Sequence, residues 1–325
     1  MVELLEHFNG LKALVVGDVM IDVYSKGVVE RMSPEAPVPI VNVKTRFTCL
    51  GGAANVALNL KALGATPILC SVIGNDSSGK TLIGLIRDAE LNTDYFSTSK
   101  SRITTVKHRI FNGDKQMLRM DEEDTYDLTD EEHDNLMSVI RKAMQEMRFD
   151  IIILQDYNKG VLTEKMIQAV IALAKKENIP VAVDPKKKNF FAYQGVTLFK
   201  PNAKELREGL GVTAETLEEL QQAMLTLQQR INCQYLMVTL SEKGVMMLHD
   251  GIFLHLPAHP RNIVDVSGAG DTVLSVATLC AALHASPETI AQLANLAGGL
   301  VCEEVGVVPI NLEQLSKEVQ QIRHE

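Results

Sequence analysis

Basic residues are scarce in this chain. Lysine and arginine number 32 against 41 aspartates and glutamates, a net charge of −9. One stretch accounts for the imbalance: DEEDTYDLTDEEHD (Asp121–Asp134) holds nine acids and no Lys or Arg, so the rest of the chain balances at zero. Without a broad cationic surface to neutralise phosphates, nucleic acid is disfavoured as a partner. Long apolar runs are missing too. None reaches the roughly 18 residues of a membrane helix, and the N-terminus MVELLEHFNGLKALVVGD has acids where a secretory signal has bases. The expectation is a soluble, cytoplasmic protein with no membrane partner. Cys49, Cys70, Cys233, Cys280 and Cys302 are odd in number, far apart and in no Cys-x-x-Cys pair. They read as reduced core thiols rather than a disulfide framework. No repeat, low-complexity tract or linker divides the chain, so one domain over residues 1–325 is expected.

What is present is alternation. Short apolar, strand-like runs occur at Lys12–Asp18, Pro67–Ile73, Asp150–Asp156, Pro180–Asp184, Thr197–Lys200 and Tyr235–Leu240. Helix-period runs such as Ala54–Gly64 and Thr163–Asn178 fall between most of them. That order predicts an α/β fold, a mainly parallel sheet flanked by helices on both faces. Two regions break it. Pro37–Thr45 is extended and proline-studded, and Thr104–Asp121 alternates in polarity around Asn112-Gly113, a hairpin signal. They predict a small antiparallel β lid inserted at about 22–48 and 100–121.

Two loops invite a phosphate. The first, DVSGAGDTV (Asp265–Val273), feeds a helical run. Gly268, Ala269 and Gly270 leave backbone N–H groups at the helix start uncovered, so an anion can approach. A carboxylate beside that nest makes sense if Asp271 takes the proton from an attacking hydroxyl during phosphoryl transfer. A glycine-rich helix entry with an N-terminal Asp is the plain structural alternative. The second, GNDSSGKT (Gly74–Thr81), matches the P-loop pattern between a strand and a helix.

The two motifs GGAANVALNLKALG (Gly51–Gly64) and DVSGAGDT together resemble the signatures of ribokinase-type (PfkB) sugar kinases, over nearly the whole chain. That resemblance implies a ribokinase-like fold and an ATP-dependent carbohydrate kinase. It also assigns Gly74, Asp76 and Gly79 to a family segment that does not bind ATP, leaving Lys80 a coincidence. RMSPEAPVPIV (Arg31–Val41), QDYNKGVLT (Gln155–Thr163) and VDPKKKNF (Val183–Phe190) resemble heptose 7-phosphate kinases in particular. This narrower likeness implies phosphorylation of the C1 hydroxyl of D-glycero-β-D-manno-heptose 7-phosphate, for ADP-heptose and lipopolysaccharide core supply. Many such kinases are fused to an adenylyltransferase; here that activity is expected to reside elsewhere. Two departures are the KKKN run after Asp184-Pro185, where relatives often have glycine, and Ser267, where many have threonine.

Roles follow from the resemblance. Asp271 is the expected base, with Gly268, Ala269 and Gly270 as the anion hole. Asp22, Gly51, Gly52, Asn55 and Asp156 are expected at the sugar. Asn202 and Glu205, in the N-x-x-E motif, are expected to hold magnesium through water and to place ATP, although N-x-x-E also reads as a capping box. Thr239, Ser241, Gly244 and Asn295 are expected to line the nucleotide site, although Asn295 reads equally as a core-facing polar residue of a helix, and a monovalent cation is a further expected cofactor. The far phosphate of the sugar needs cations, for which Arg31, Lys107, Arg109, Arg119 and Lys186 are the candidates; the alternative for the lid cations is balancing the acidic run. Exposed lid edges predict a homodimer. Other readings are another PfkB-type sugar kinase, a non-catalytic sugar-phosphate-binding regulator, and a P-loop NTPase resting on Lys80. The acidic run reads as a solvated turn with a capping box at Thr129, the Met-rich segment around Met237–Met247 as core, and His255/His259, flanked by prolines, as no zinc site.

Overall fold

The computed structural model describes residues 1–322. In chain order the first elements are α1 (Val2–Glu6), β1 (Lys12–Gly17), β2 (Val19–Met32), β3 (Pro39–Gly52), α2 (Ala53–Ala62), β4 (Thr66–Gly74) and α3 (Ser77–Asp88). Then come β5 (Phe96–Ser99), β6 (Val106–Asn112), β7 (Lys115–Glu122), α4 (Asp130–Glu146), β8 (Ile151–Gln155), α5 (Glu164–Glu177) and β9 (Val181–Asp184). The chain continues through β10 (Leu198–Phe199), α6 (Ala203–Leu210), α7 (Leu217–Ile231), β11 (Tyr235–Thr239), β12 (Val245–His249) and β13 (Ile252–Leu256). It ends on α8 (Ala269–Ala282), α9 (Pro287–Val301) and α10 (Leu312–Ile322).

Among the described residues the main sheet has nine strands in the order β13-β12-β11-β10-β9-β8-β1-β4-β5, parallel except at the β11-β12-β13 edge. Its central strands read as unbroken apolar runs because both faces are covered: β8 is IIILQ with every residue buried. One core layer joins β1 to α2, α8 and α9; the other joins the opposite face to α4, α5 and α7. The Met-rich segment packs inside, with Met237, Met246 and Met247 fully buried. The order reverses at β1, whose neighbours are β4 on one side and β8 on the other. Open α/β sheets bind ligands outside the carboxyl ends of their strands at such a reversal.

The lid is a separate four-stranded sheet, β3-β2-β6-β7. Its hairpins are antiparallel, as expected, but β2 and β6 pair in parallel, a joint that local patterning does not signal. The hairpin turn also sits one residue later than the Asn-Gly pair suggests. Asn112 pairs with Lys115, so Gly113 and Asp114 form the loop, and Gly113 alone has positive φ (59°). Asn112 is instead a strand residue whose side chain accepts the Val29 N–H at 3.1 Å. Four cysteines are buried; Cys49, on β3 of the lid, is half-buried and so is not a core thiol.

Candidate active site

Six helices share a cap that two helices at the centre of the fold lack. Helices α3, α4, α5, α6, α7 and α9 each have an Asp, Thr, Asn or Ser at the N-cap accepting a backbone N–H of the first turn. Helices α2 and α8 have glycine there, Gly52 (φ 61°) and Gly268 (φ 82°), and no side-chain cap. Their first turns meet. Asn55, in the first turn of α2, donates from Nδ2 to Asp271 Oδ2 in the first turn of α8 at 2.7 Å. Gly268 is bare of necessity: its φ is left-handed, and a Cβ would lie 2.9 Å from Asn55 Nδ2. Gly270 has room for a Cβ, which would make only ordinary contacts with Lys200 Nζ (3.8 Å) and Asp184 Oδ2 (3.9 Å). Asp265 braces the loop by accepting the N–H groups of Ser267 (2.9 Å) and Gly306 (3.0 Å).

Asp271 is 3% exposed. Burial pushes its carboxyl up to about 6, against the pull of hydrogen bonds from Asn55 and Tyr157; Asp184 adds to the rise and Lys200 opposes it. Two of its donors escape the sequence reading. Gln155 Nε2 donates to Oδ1 at 3.0 Å and Tyr157 Oη to the same oxygen at 2.8 Å. The residue expected from that stretch, Asp156, faces away from Asp271. It accepts from Tyr193 Oη (2.8 Å) and Asn158 N–H (2.7 Å), and burial, reinforced by Asp18, pushes it up to about 7. Alternation at a strand end explains the placement: Gln155 and Tyr157 share one side and Asp156 takes the other. Strand spacing alone would have found the pair.

A charged cluster lies beside Gly270. Lys200, 2% exposed, pairs with Asp184 Oδ2 at 2.9 Å, and Lys186 bridges Asp184 (3.7 Å) and Glu205. Asn202 and Glu205 do form the capping box of α6: Asn202 Oδ1 accepts the Glu205 N–H at 2.9 Å and Glu205 Oε2 accepts the Asn202 N–H at 2.8 Å. Among the described residues no group of three or more His, Cys, Asp or Glu is placed to ligate a metal directly, His255 and His259 included. The residues fit a hydrated hard cation, for which one carboxylate and waters suffice; the Lys186 ammonium at Glu205 already marks a place for positive charge.

Asn202 bridges Thr239 in parallel, which sets the N-x-x-E motif against the segment after β11. There Ser241 (φ 54°) and Gly244 (φ 87°) turn the chain, and a Cβ on Gly244 would strike Leu256, Pro257 and Ala258. Asn295 holds the stretch after β13 against which Gly244 packs, donating to Pro257 O at 2.8 Å.

From the lid, Asp22 is buried and ion-paired with Arg109, whose guanidinium lies over Tyr24, 5.2 Å from the ring centroid. Gly51 is bare because a Cβ would overlap the Asp22 carboxylate, and Gly52 because it would strike Asp18 O. The expected cluster of lid cations does not assemble. Lys107 binds Asp121 (3.0 Å) and Glu123 (3.1 Å), Arg119 binds Asp121 (2.9 Å), and Arg31 is exposed at the far end of β2. Lys107 and Arg119 thus balance the acidic run, and Arg109 alone reaches Asp22. Thr129 and Glu132 form the expected capping box.

The rival loop is closed. Asp76 caps α3 by accepting the Gly79 N–H at 2.6 Å and reaches across to the Thr104 N–H at 2.8 Å, while Thr104 Oγ1 takes the Gly74 N–H at 3.0 Å. Lys80 is exposed.

Comparison with known proteins gives a consistent result. Residues 11–314 match the pfkB family carbohydrate kinases. The bifunctional protein HldE of Methylobacillus flagellatus is 43% identical over 309 residues, 94% of this chain and 63% of that protein. Its counterpart in Helicobacter pylori is 37% identical over 94% of this chain and 65% of that protein. The chain therefore spans just under two thirds of the length of these curated relatives. Among solved structures, phosphofructokinase-2 from Escherichia coli in complex with potassium aligns with a TM-score of 0.80 at 18% identity, covering 95% of this chain and 99% of that one. Arabidopsis thaliana ribokinase complexed with ribose and ATP aligns at 0.73 and 20% identity, with the same coverage.

Proposed function

Because this chain belongs to the pfkB family of carbohydrate kinases, we propose that it transfers the γ-phosphoryl group of ATP to the C1 hydroxyl of D-glycero-β-D-manno-heptose 7-phosphate. The observation that carries the chemistry is Asp271, buried at an uncapped helix start beside three small residues. Asp271 takes the proton as the hydroxyl O–H bond breaks. The sugar oxygen forms its bond to the γ-phosphorus, the bond from that phosphorus to the β–γ bridging oxygen breaks, and ADP leaves. The N–H groups of Gly268 and Gly270 would face the charge on the transferring group, whereas that of Ala269, expected there too, donates to Val266 O at 3.3 Å. Magnesium, when bound, neutralises phosphate charge; Asn202 and Glu205 would hold it through water. Asp22, Asn55 and Arg109 sit where the sugar would lie, and Thr239, Ser241, Gly244 and Asn295 border the nucleotide. The likeness of Arg31–Val41, Gln155–Thr163 and Val183–Phe190 to heptose 7-phosphate kinases supports the sugar.

The potassium in the phosphofructokinase-2 complex supports a monovalent cation here too. The lid edge β7, exposed along its length and carrying Met117, Leu118 and Met120, supports a homodimer.

A panel of sugars and sugar phosphates in an ADP-release assay tests the reading. Heptose 7-phosphate should give the highest kcat/KM, and preference for an unphosphorylated sugar would overturn it. Arg109→Ala should raise the KM for the sugar phosphate roughly 10- to 100-fold, as for loss of a charge-assisted contact of about 1.5–3 kcal/mol, and leave the KM for ATP unchanged. No change in either would remove Arg109 from the site.

A further inference from the structure

The proton acceptor at Asp271 can be assigned to one oxygen. A carboxylate oxygen has about two acceptor positions. Oδ1 has two donors, Tyr157 Oη at 2.8 Å and Gln155 Nε2 at 3.0 Å. Oδ2 has one, Asn55 Nδ2 at 2.7 Å. The geometry points to Tyr157 as a positioning residue for the reaction: with Gln155 it saturates Oδ1, so that the substrate proton is delivered to Oδ2. The inference rests on Asp271 being the base.

Tyr157 is built to hold that position. Its backbone N–H donates to Asp18 Oδ2 at 2.8 Å, and the same carboxylate accepts the N–H groups of Lys159 and Val161, each at 3.1 Å. Asp18 lies just past β1, and its own N–H donates to Gln155 O at 3.1 Å, which ties both donors of Oδ1 to one corner of the sheet. The next residue, Asn158, is left-handed (φ 55°) and pinned by Asp156 Oδ1 at 2.7 Å. Lys186 Nζ stands 5.4 Å from the centre of the Tyr157 ring. Tyr157 is half-buried, and the burial of its phenol and the Asp271 charge hold its proton far above the usual phenol range, so it remains the donor.

The charged groups around Asp271 set the sign of a pH effect. Asp184, from the end of β9, raises its carboxyl, and Lys200, after β10, lowers it. Lys186 also feels the Asp271 charge, Asp22 bears on Tyr157, and α2 contributes only neutral Asn55. The Tyr157 hydrogen bond favours the ionised form, so its removal raises the pKa of Asp271.

The test is Tyr157→Phe, which keeps the ring. Two measurements are made: kcat/KM against pH with ATP and heptose 7-phosphate, and the 13C carboxyl titration of Asp271 in the free protein. One lost hydrogen bond to a charged group corresponds to about one to two pH units. The acidic limb of kcat/KM and the titration midpoint should both rise by that amount, with kcat reduced about 10-fold and the KM for ATP unchanged. If Asp271→Asn is inactive but Tyr157→Phe moves neither midpoint nor limb, Tyr157 is packing alone and the inference is overturned. A midpoint that moves while the limb stays, with Asp271→Asn still active, overturns the base assignment and with it any part for Tyr157 in the reaction.

Discussion

The loops Gly74–Thr81 and Asp265–Thr272 are near look-alikes with opposite insides. Each carries two glycines and an aspartate close together and opens a helix. In the first, the space left by glycine is filled by protein: a Cβ at Gly74 would meet Asp76 and the Arg102 and Thr104 backbone, and one at Gly79 the Gly74 carbonyl. In the second, a Cβ at Gly270 would meet only ordinary contacts, with Lys200 and Asp184 at 3.8 and 3.9 Å. The aspartates follow suit. Burial works against the Asp76 anion, but N–H bonds from Thr104 and Gly79 prevail and hold its carboxyl below the usual range. Asp271 is raised to about 6. A glycine loop binds an outside anion only where no side chain of the protein has already answered its N–H groups.

The largest break in this contrast should come from Asp271→Asn, which should cut turnover at least about 10²-fold, as for loss of a general base. The same change should stabilise the fold. With a folded pKa near 6 and a usual value of 3.8, the folded state binds the proton more tightly, so stability falls as pH rises from about 4 through about 6 and stays lower above that. At pH 8 the ionised carboxylate costs at most about 3 kcal/mol, and thermal melting at pH 8 should show the variant more stable than the parent. A variant that is inactive and less stable would contradict the strained anion. In the parent, activity should drop as pH falls through about 6.

Gly268→Val should be next. A β-branched residue at positive φ is strained by about 1–3 kcal/mol and would press on Asn55. With the N–H groups displaced, turnover should fall by roughly 10²-fold, as for a lost oxyanion-hole donor. Asp76→Ala should affect stability alone, by about 1–2 kcal/mol for a lost N-cap, with kcat unchanged. The smallest effect is expected from Lys80→Ala, within about twofold in ATP affinity. A P-loop lysine binds the β- and γ-phosphates, so crippled ATP binding in this variant alone would reverse the comparison.

Much of this was legible beforehand. The strand at Asp150–Asp156, the Asp265–Val273 loop and the capping boxes at Thr129 and Asn202 are patterns of a few neighbouring residues, and local chemistry defines them. Asp156, expected at the sugar, is turned by strand alternation to the side opposite Gln155 and Tyr157, where it accepts from Tyr193 and Asn158. Lys107 and Arg109 do share a strand face, as their spacing requires, but which anion each meets depends on β7 and β2 lying on opposite sides of β6.

Local pattern sufficed for the central strands, their alternation with helices into a mainly parallel sheet, and the presence of two bare loops, because hydrophobic period and glycine act over a few residues. Only the tertiary structure decided which bare loop stays open and what surrounds its aspartate. Thr104 closes the first loop from 28 positions beyond Asp76. Asn55 and Tyr157 reach Asp271 from 216 and 114 positions away. Such partners meet only when parallel strands align their carboxyl ends, and no local period in the chain records that meeting.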